Sequence, residues 1–131
     1  YCDYLFLNEI EAELATGFKI VFKNKFNKKN AESAANFLLD CGVNKAVVLH
    51  SPEHTIWKDK KKISHWFESR LLKNNQIISK VGAGDAFCAT CLYGIHEEWD
   101  AKKILKKAHS AASSILKTEF SSGNIPNIKY L

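Results

Sequence analysis

The sequence predicts an α/β fold: a mostly parallel sheet flanked by helices, with a small β-hairpin. Three observations predict it. Tyr4-Leu5-Phe6-Leu7 and Asn44–Leu49 are short apolar or β-branched runs of strand length. Between them Ala34, Phe37, Leu38 and Cys41 recur at helical spacing, and strand, helix, strand in that order implies a parallel pair with a right-handed crossover. The third observation is the block Gly82-Ala83-Gly84-Asp85-Ala86-Phe87, set between a β-like run at Gln76–Ser79 and an apolar run at Ala86–Ile95.

The 131 residues suffice for one domain, read as spanning 1–131, with 46% apolar and 25% charged residues. The longest apolar runs fall far short of a membrane span. Asp3, Asn8 and Glu9 interrupt the opening residues, so no secretory leader is expected there, and a cytoplasmic location is. The net charge of +5 suits an anionic ligand or an ordinary lysine-rich surface. Cys2, Cys41, Cys88 and Cys91 read as free thiols of a reducing compartment. Cys88 and Cys91 form a C-x-x-C inside an apolar helix with no second pair, which favours burial over metal or redox chemistry.

Tyr4–Leu7 is read as a buried strand, and Asn8 as the cap of a helix whose first turns carry Glu9, Glu11 and Glu13 and which Gly17 ends. Asn8 and Glu11 stand three apart at a strand's C-terminal end, where open α/β sheets bind ligands. They form either a plain capping pair or a holder of hydrated Mg²⁺. Phe18–Phe22 is a short strand or a loop cover, and Lys23–Asn30 a basic exposed loop. Ala31–Cys41 is a helix stopped by Gly42.

After the Asn44–Leu49 strand, Ser51-Pro52-Glu53-His54 is a turn. Thr55–Lys58 and Lys62–Trp66 form a hairpin around Asp59-Lys60-Lys61. Its lysines, with Trp57 and Trp66 as base-stacking rings, could serve a nucleic-acid surface. A solvated hairpin tip explains them more simply, so neither nucleic acid nor membrane is expected as a partner. Phe67–Asn75 is ambiguous, and Gln76–Ser79 is a last strand. Ala86–Ile95 is apolar nearly all round and reads as a buried helix. Asp100 caps a long helix with the stripe Ile104, Leu105, Ala108, Ala111, Ala112, Ile115 and Leu116. His109 lies on or beside that stripe, as a packing residue or a ligand contact.

The glycine block carries the chemistry. Two glycines around one small residue permit a tight turn and a close ligand approach. A helix starting at Asp85 or Ala86 aims unpaired N–H groups into that turn, an anion site. Asp85 there is either an N-cap or a base taking a proton from a hydroxyl. The block is neither a P-loop nor a good Rossmann fingerprint.

These residues together resemble the C-terminal half of the ribokinase-like (phosphofructokinase-B) carbohydrate kinase family. Leu5–Gly17 is similar to its strand, Asn-x-x-Glu motif and closing Thr-Gly. Gly82–Phe87 is similar to its second signature, and Ala108–Gly123 to its alanine-rich helix and glycine loop. The resemblance implies an ATP-dependent phosphotransferase acting on a hydroxymethyl group of a sugar or nucleoside. It implies Asp85 as general base and Gly82, Ala83 and Gly84 as the anion hole. Asn8 and Glu11 organise Mg²⁺, and Ser51, His54, His109 and Gly123 lie along the nucleotide.

Some positions depart from that pattern. Ser79-Lys80-Val81 stands where the family carries Asp-Thr-x, against a monovalent-cation site, and Ser51 and His54 replace a Gly-x-x-Gly turn. The family's N-terminal half has no counterpart here, so Tyr4–Leu7 is expected as an open sheet edge needing a partner. That partner is the missing half of the same protein, or a second copy in a homodimer. The alternative function is a non-catalytic nucleotide-binding or oligomerisation module that keeps the fold.

Overall fold

The computed structural model describes residues 2–69, 76–79, 81–118 and 127. The chain divides into two compact units, Tyr1–Glu68 and Ser69–Leu131. Among the described residues no helix is long and apolar enough to cross a membrane.

The first unit runs β1 (Tyr4–Asn8), α1 (Glu9–Thr16), β2 (Val21–Phe22), β3 (Lys25–Phe26), α2 (Lys28–Asp40), β4 (Ala46–His50), β5 (His54–Asp59) and β6 (Ser64–Glu68). Four strands form one sheet in the order β1-β4-β5-β6. β1 pairs parallel to β4, with Tyr4 opposite Ala46 and Asn8 opposite His50, as the strand-helix-strand pattern requires. The β4–β5 and β5–β6 pairings are antiparallel, because turns too short for a crossover join them. The parallel character is therefore confined to β1 and β4 among the described strands. β1 stands at the edge, where the sequence leaves it open.

Burial explains the layers. Val47 and Leu49 of β4 and Ile56 of β5 pack with Ala12 of α1 and with Ala31, Ala34, Ala35, Leu38 and Leu39 of α2. Leu5 and Leu7 of β1 join this side, so alternation turns Phe6, Asn8, Val48 and His50 to the opposite face. Small residues on α1 and α2 let both helices lie close on the sheet. Gly17 ends α1 at φ +76°, where its N–H reaches the Glu13 carbonyl at 2.8 Å.

Several expectations need correction in this unit. Lys23–Asn30 is not one loop. Lys25–Phe26 pairs with Val21–Phe22 across a turn in which Lys23 and Asn24 take positive φ. α2 begins at Lys28, three residues early, because the Asn27 side chain caps it by accepting from the Asn30 amide at 3.0 Å. Trp57 does not offer a stacking ring. It is 7% exposed and sits 6.0 Å from the Tyr4 ring, while Trp66 meets Phe26 edge-on at 6.4 Å. Lys58, in the basic hairpin, is internal at 4% exposure.

The second unit contains α3 (Ala83–His96) and α4 (Ala101–Leu116). Ala86 packs with Ala111 and Ile115, against Ala83. Asp100 caps α4, as its sequence predicts, accepting from the Lys103 amide at 2.9 Å. α3 is not buried all round: Leu92 and Tyr93 are exposed, while Phe87, Thr90, Cys91 and Gly94 face inward. Gln76–Ser79 is not a strand. The Ile78 and Ser79 amides instead donate to the Leu116 carbonyl at 2.8 and 3.4 Å, taking up an acceptor that the end of α4 leaves unpaired.

Candidate functional site

The candidate residues fall in both units, and each part has its own geometry. In the second unit α3 begins at Ala83, two residues before the expected start. Gly82 precedes it at φ +84°, ψ −8°, a left-handed conformation that favours glycine. The first paired amide is Ala86, which donates to the Gly82 carbonyl at 2.9 Å. The amides of Ala83, Gly84 and Asp85 precede it at the positive end of the helix, with no side-chain cap. Asp85 is therefore the third helical residue and not the N-cap, and its side chain is exposed. A carboxylate beside open amides can take a proton while the amides hold a developing negative charge.

Inward from Asp85 on the same helix, Phe87 meets the His109 ring edge-on, with centroids 5.3 Å apart and planes at 80°. His109 is 9% exposed, so the geometry favours its packing role. Cys91 is fully buried and Cys88 half-buried, both free thiols. Burial pushes the Cys88 thiol up, and the neighbouring Asp85 charge adds to it. Burial pushes Cys91 up further. Both shifts work against thiolate chemistry. Gly123 lies outside the described residues.

In the first unit Asn8 and Glu11 meet as a reciprocal capping box. The Asn8 Oδ1 accepts from the Glu11 amide at 2.8 Å, and the Glu11 Oε2 accepts from the Asn8 amide at 2.9 Å. Glu9, between them, has its carboxyl raised by burial, with the charges of Glu13 and Glu11 adding to the effect. His50 was not singled out from the sequence. It ends β4 opposite Asn8, and burial pulls its imidazole down against the opposing pull of Glu11. Its place became visible only with the β1–β4 register, which sets it opposite the capping box.

Ser51 and His54 close the β4–β5 turn on each other. The Ser51 amide and hydroxyl both donate to the His54 carbonyl, at 2.8 and 3.0 Å, and the His54 amide donates to the Ser51 Oγ at 3.0 Å. The His54 ring stacks on Phe26 at 4.6 Å, and its Nδ1 lies 3.8 Å from the Glu53 carboxylate.

The residues fit a phosphate group: the open amides of Ala83, Gly84 and Asp85 follow a left-handed glycine. They fit Mg²⁺ only through phosphate or water. Asn8 and Glu11 spend one oxygen each on the capping box, and the described residues hold no group of three or more acids, histidines or cysteines able to bind a metal.

Among solved structures the chain is similar to ribokinase from Arabidopsis thaliana complexed with ribose and ATP, at 21% identity and a TM-score of 0.80. That match covers 97% of this chain and 38% of the other. It is similar to ribokinase from Thermotoga maritima, at 23% identity and TM-score 0.74, over 97% of this chain and 40% of the other. It is similar to adenosine kinase from Schistosoma mansoni in complex with 2-fluoroadenosine, at 21% identity and TM-score 0.74, over 98% and 38%. The chain thus spans about two-fifths of the length of these structures, and the likeness establishes the ribokinase-like α/β fold. No curated protein matches the chain in sequence. The pfkB family carbohydrate kinase model matches residues 1–127, and the chain belongs to that family.

Proposed function

We propose that the chain is the nucleotide-handling, base-carrying C-terminal part of an ATP-dependent kinase that phosphorylates a hydroxymethyl group of a sugar or nucleoside. The observation supporting this most strongly is the exposed Asp85 carboxylate at the third position of α3, beside the open amides of Ala83 and Gly84. The neighbours named ribokinase and adenosine kinase support the acceptor class.

In this reading the Asp85 carboxylate takes the proton of the acceptor hydroxyl. The hydroxyl oxygen bonds to the γ-phosphorus as the bond to the β–γ bridging oxygen breaks, and that oxygen leaves with ADP. The Gly82, Ala83 and Gly84 amides, joined by that of Asp85, hold the charge on the transferring oxygens. Bound Mg²⁺ supplies charge neutralisation between phosphates. Asn8 and Glu11 act on its water shell or on phosphate, since their capping box already fixes their orientation. Ser51 and His54 lie along the nucleotide, and His109 backs the helix that carries the base. Little covalent chemistry is asked of the protein beyond positioning and one proton acceptor.

A second reading, a non-catalytic module, draws support from Ser51 and His54, since the Ser51 amide and hydroxyl and the His54 backbone are spent on each other. A substrate panel on the complete protein separates the two, with ribose, fructose, a 2-keto-3-deoxy sugar acid, adenosine and pseudouridine as acceptors. Acceptor-dependent ADP release is expected with one of these compounds. ATP binding without acceptor-dependent release supports the module.

A further inference from the structure

Every helix leaves its last carbonyls unpaired, and α4 gives one of its own to the segment that feeds the glycine turn. The Leu116 carbonyl accepts from Ile78 at 2.8 Å and from Ser79 at 3.4 Å. From that anchored position the Ser79 Oγ accepts from the Val81 amide at 3.2 Å, a side-chain turn ending one residue before Gly82. The turn is therefore set from behind by two links. The Leu116 carbonyl fixes where the segment starts, and the Ser79 hydroxyl fixes how it bends into Gly82.

The bend leads directly into residues with little side-chain support. Gly82 has no side chain, and α3 has no side-chain cap. Glycine loses the most conformational freedom on ordering, so a turn built on it needs an outside hold. We propose that Ser79 is a positioning residue for the anion turn, its hydroxyl and the Leu116 carbonyl together holding Ile78, Ser79 and Val81 so that Gly82 stays left-handed and the Ala83–Asp85 amides stay open to a phosphoryl anion. Ser79 does not touch the anion; it acts through the backbone. This rests on the reading of Gly82–Asp85 as an anion site.

The test uses the complete protein with inorganic pyrophosphate as probe, followed by the amide signals of Ala83, Gly84 and Asp85 in NMR titration. Thermal unfolding is measured in parallel. Ser79→Ala removes the acceptor, and Ser79→Thr keeps it. The expected result is pyrophosphate binding weakened about five-fold in Ser79→Ala, the scale of one net hydrogen bond. Ser79→Thr restores binding to within about two-fold, and the unfolding midpoint changes little in either variant. If wild-type amides do not respond to pyrophosphate, the anion-site reading falls and this inference with it. If wild type responds and Ser79→Ala binds equally well, the role of Ser79 alone is overturned. A loss that Ser79→Thr fails to restore overturns it as well, because the hydroxyl is then not the cause.

Discussion

Gly94 of α3 lies so close to Ile104 of α4 that a Cβ on it would sit 2.7 Å from the Ile104 Cγ1 and 3.1 Å from the Trp99 Cε3. Ile104 is 2% exposed, packed in the interior of this helix pair. Gly94→Ala gains about 1 kcal/mol of helix propensity. Overpacking costs about 1–3 kcal/mol and wins. Chemical unfolding should show Gly94→Ala less stable than wild type, and Gly94→Ala with Ile104→Val should recover part of the loss. An unchanged midpoint for Gly94→Ala would mean that the two helices separate freely.

Lys58 is buried at 4% exposure and makes two side-chain hydrogen bonds. Its Nζ donates to the Glu32 Oε1 at 2.7 Å and to the Ser64 Oγ at 2.8 Å, and the Ser64 hydroxyl donates to the same Glu32 oxygen at 2.6 Å. The three residues tie α2 to β5 and β6. Removing one partner of such a pair leaves a buried charge uncompensated. Glu32→Ala should therefore cost about 2 kcal/mol, discounted because Glu32 itself is partly solvated. Lys58→Met should cost less, since the freed Glu32 can hydrate. Urea midpoints of the two variants check the order, and a larger loss for Lys58→Met would contradict it.

Stability should fall in two stages on acidification. Burial lowers the His50 imidazole below its ordinary 6.5, so below that pH the unfolded chain takes up the proton first and stability drops. The second stage belongs to the carboxylates held low, Asp3, Glu13, Glu32 and Glu68. Glu13 is held below 4.5 first by the Val21 amide, with Lys19 and the Ile20 amide adding. Glu32 is held down first by the Lys58 hydrogen bond. Their stabilisation is present above about 4.5 and is lost as pH falls through their lowered values. Glu9, raised by burial, works the other way and softens the second stage. Denaturant midpoints measured from pH 8 to 3 should show both stages, and His50→Gln should abolish the first. A wild-type profile flat between pH 6.5 and 5 would contradict the role of His50.

Local chemistry made much of this legible. Asn8, Gly17 and Asp100 announce helix ends because a cap needs only its own neighbours, and β1–α2–β4 follows from period and order alone. Asn27 is an equally good cap, hidden by the lysines and asparagines around it. Gln76–Ser79 reads as a strand by composition, yet the Ile78 and Ser79 amides go to Leu116, far along the chain, a pairing no local pattern carries. Internal Lys58 and Trp57 depend likewise on partners across the sheet. In the site, Gly82–Asp85 was legible as a turn with a poised carboxylate. The mutual closure of Ser51 and His54, and the place of His50 beside Asn8, emerged only with strand register.

The central claim is that Asp85 is the base beside an anion-holding turn. The most direct measurement compares wild-type and Asp85→Asn forms of the complete kinase, with turnover and ATP affinity determined on the same samples. The account predicts ATP affinity within about three-fold and turnover lower by about two orders of magnitude or more. Turnover unchanged in Asp85→Asn, with ATP still bound, would contradict it.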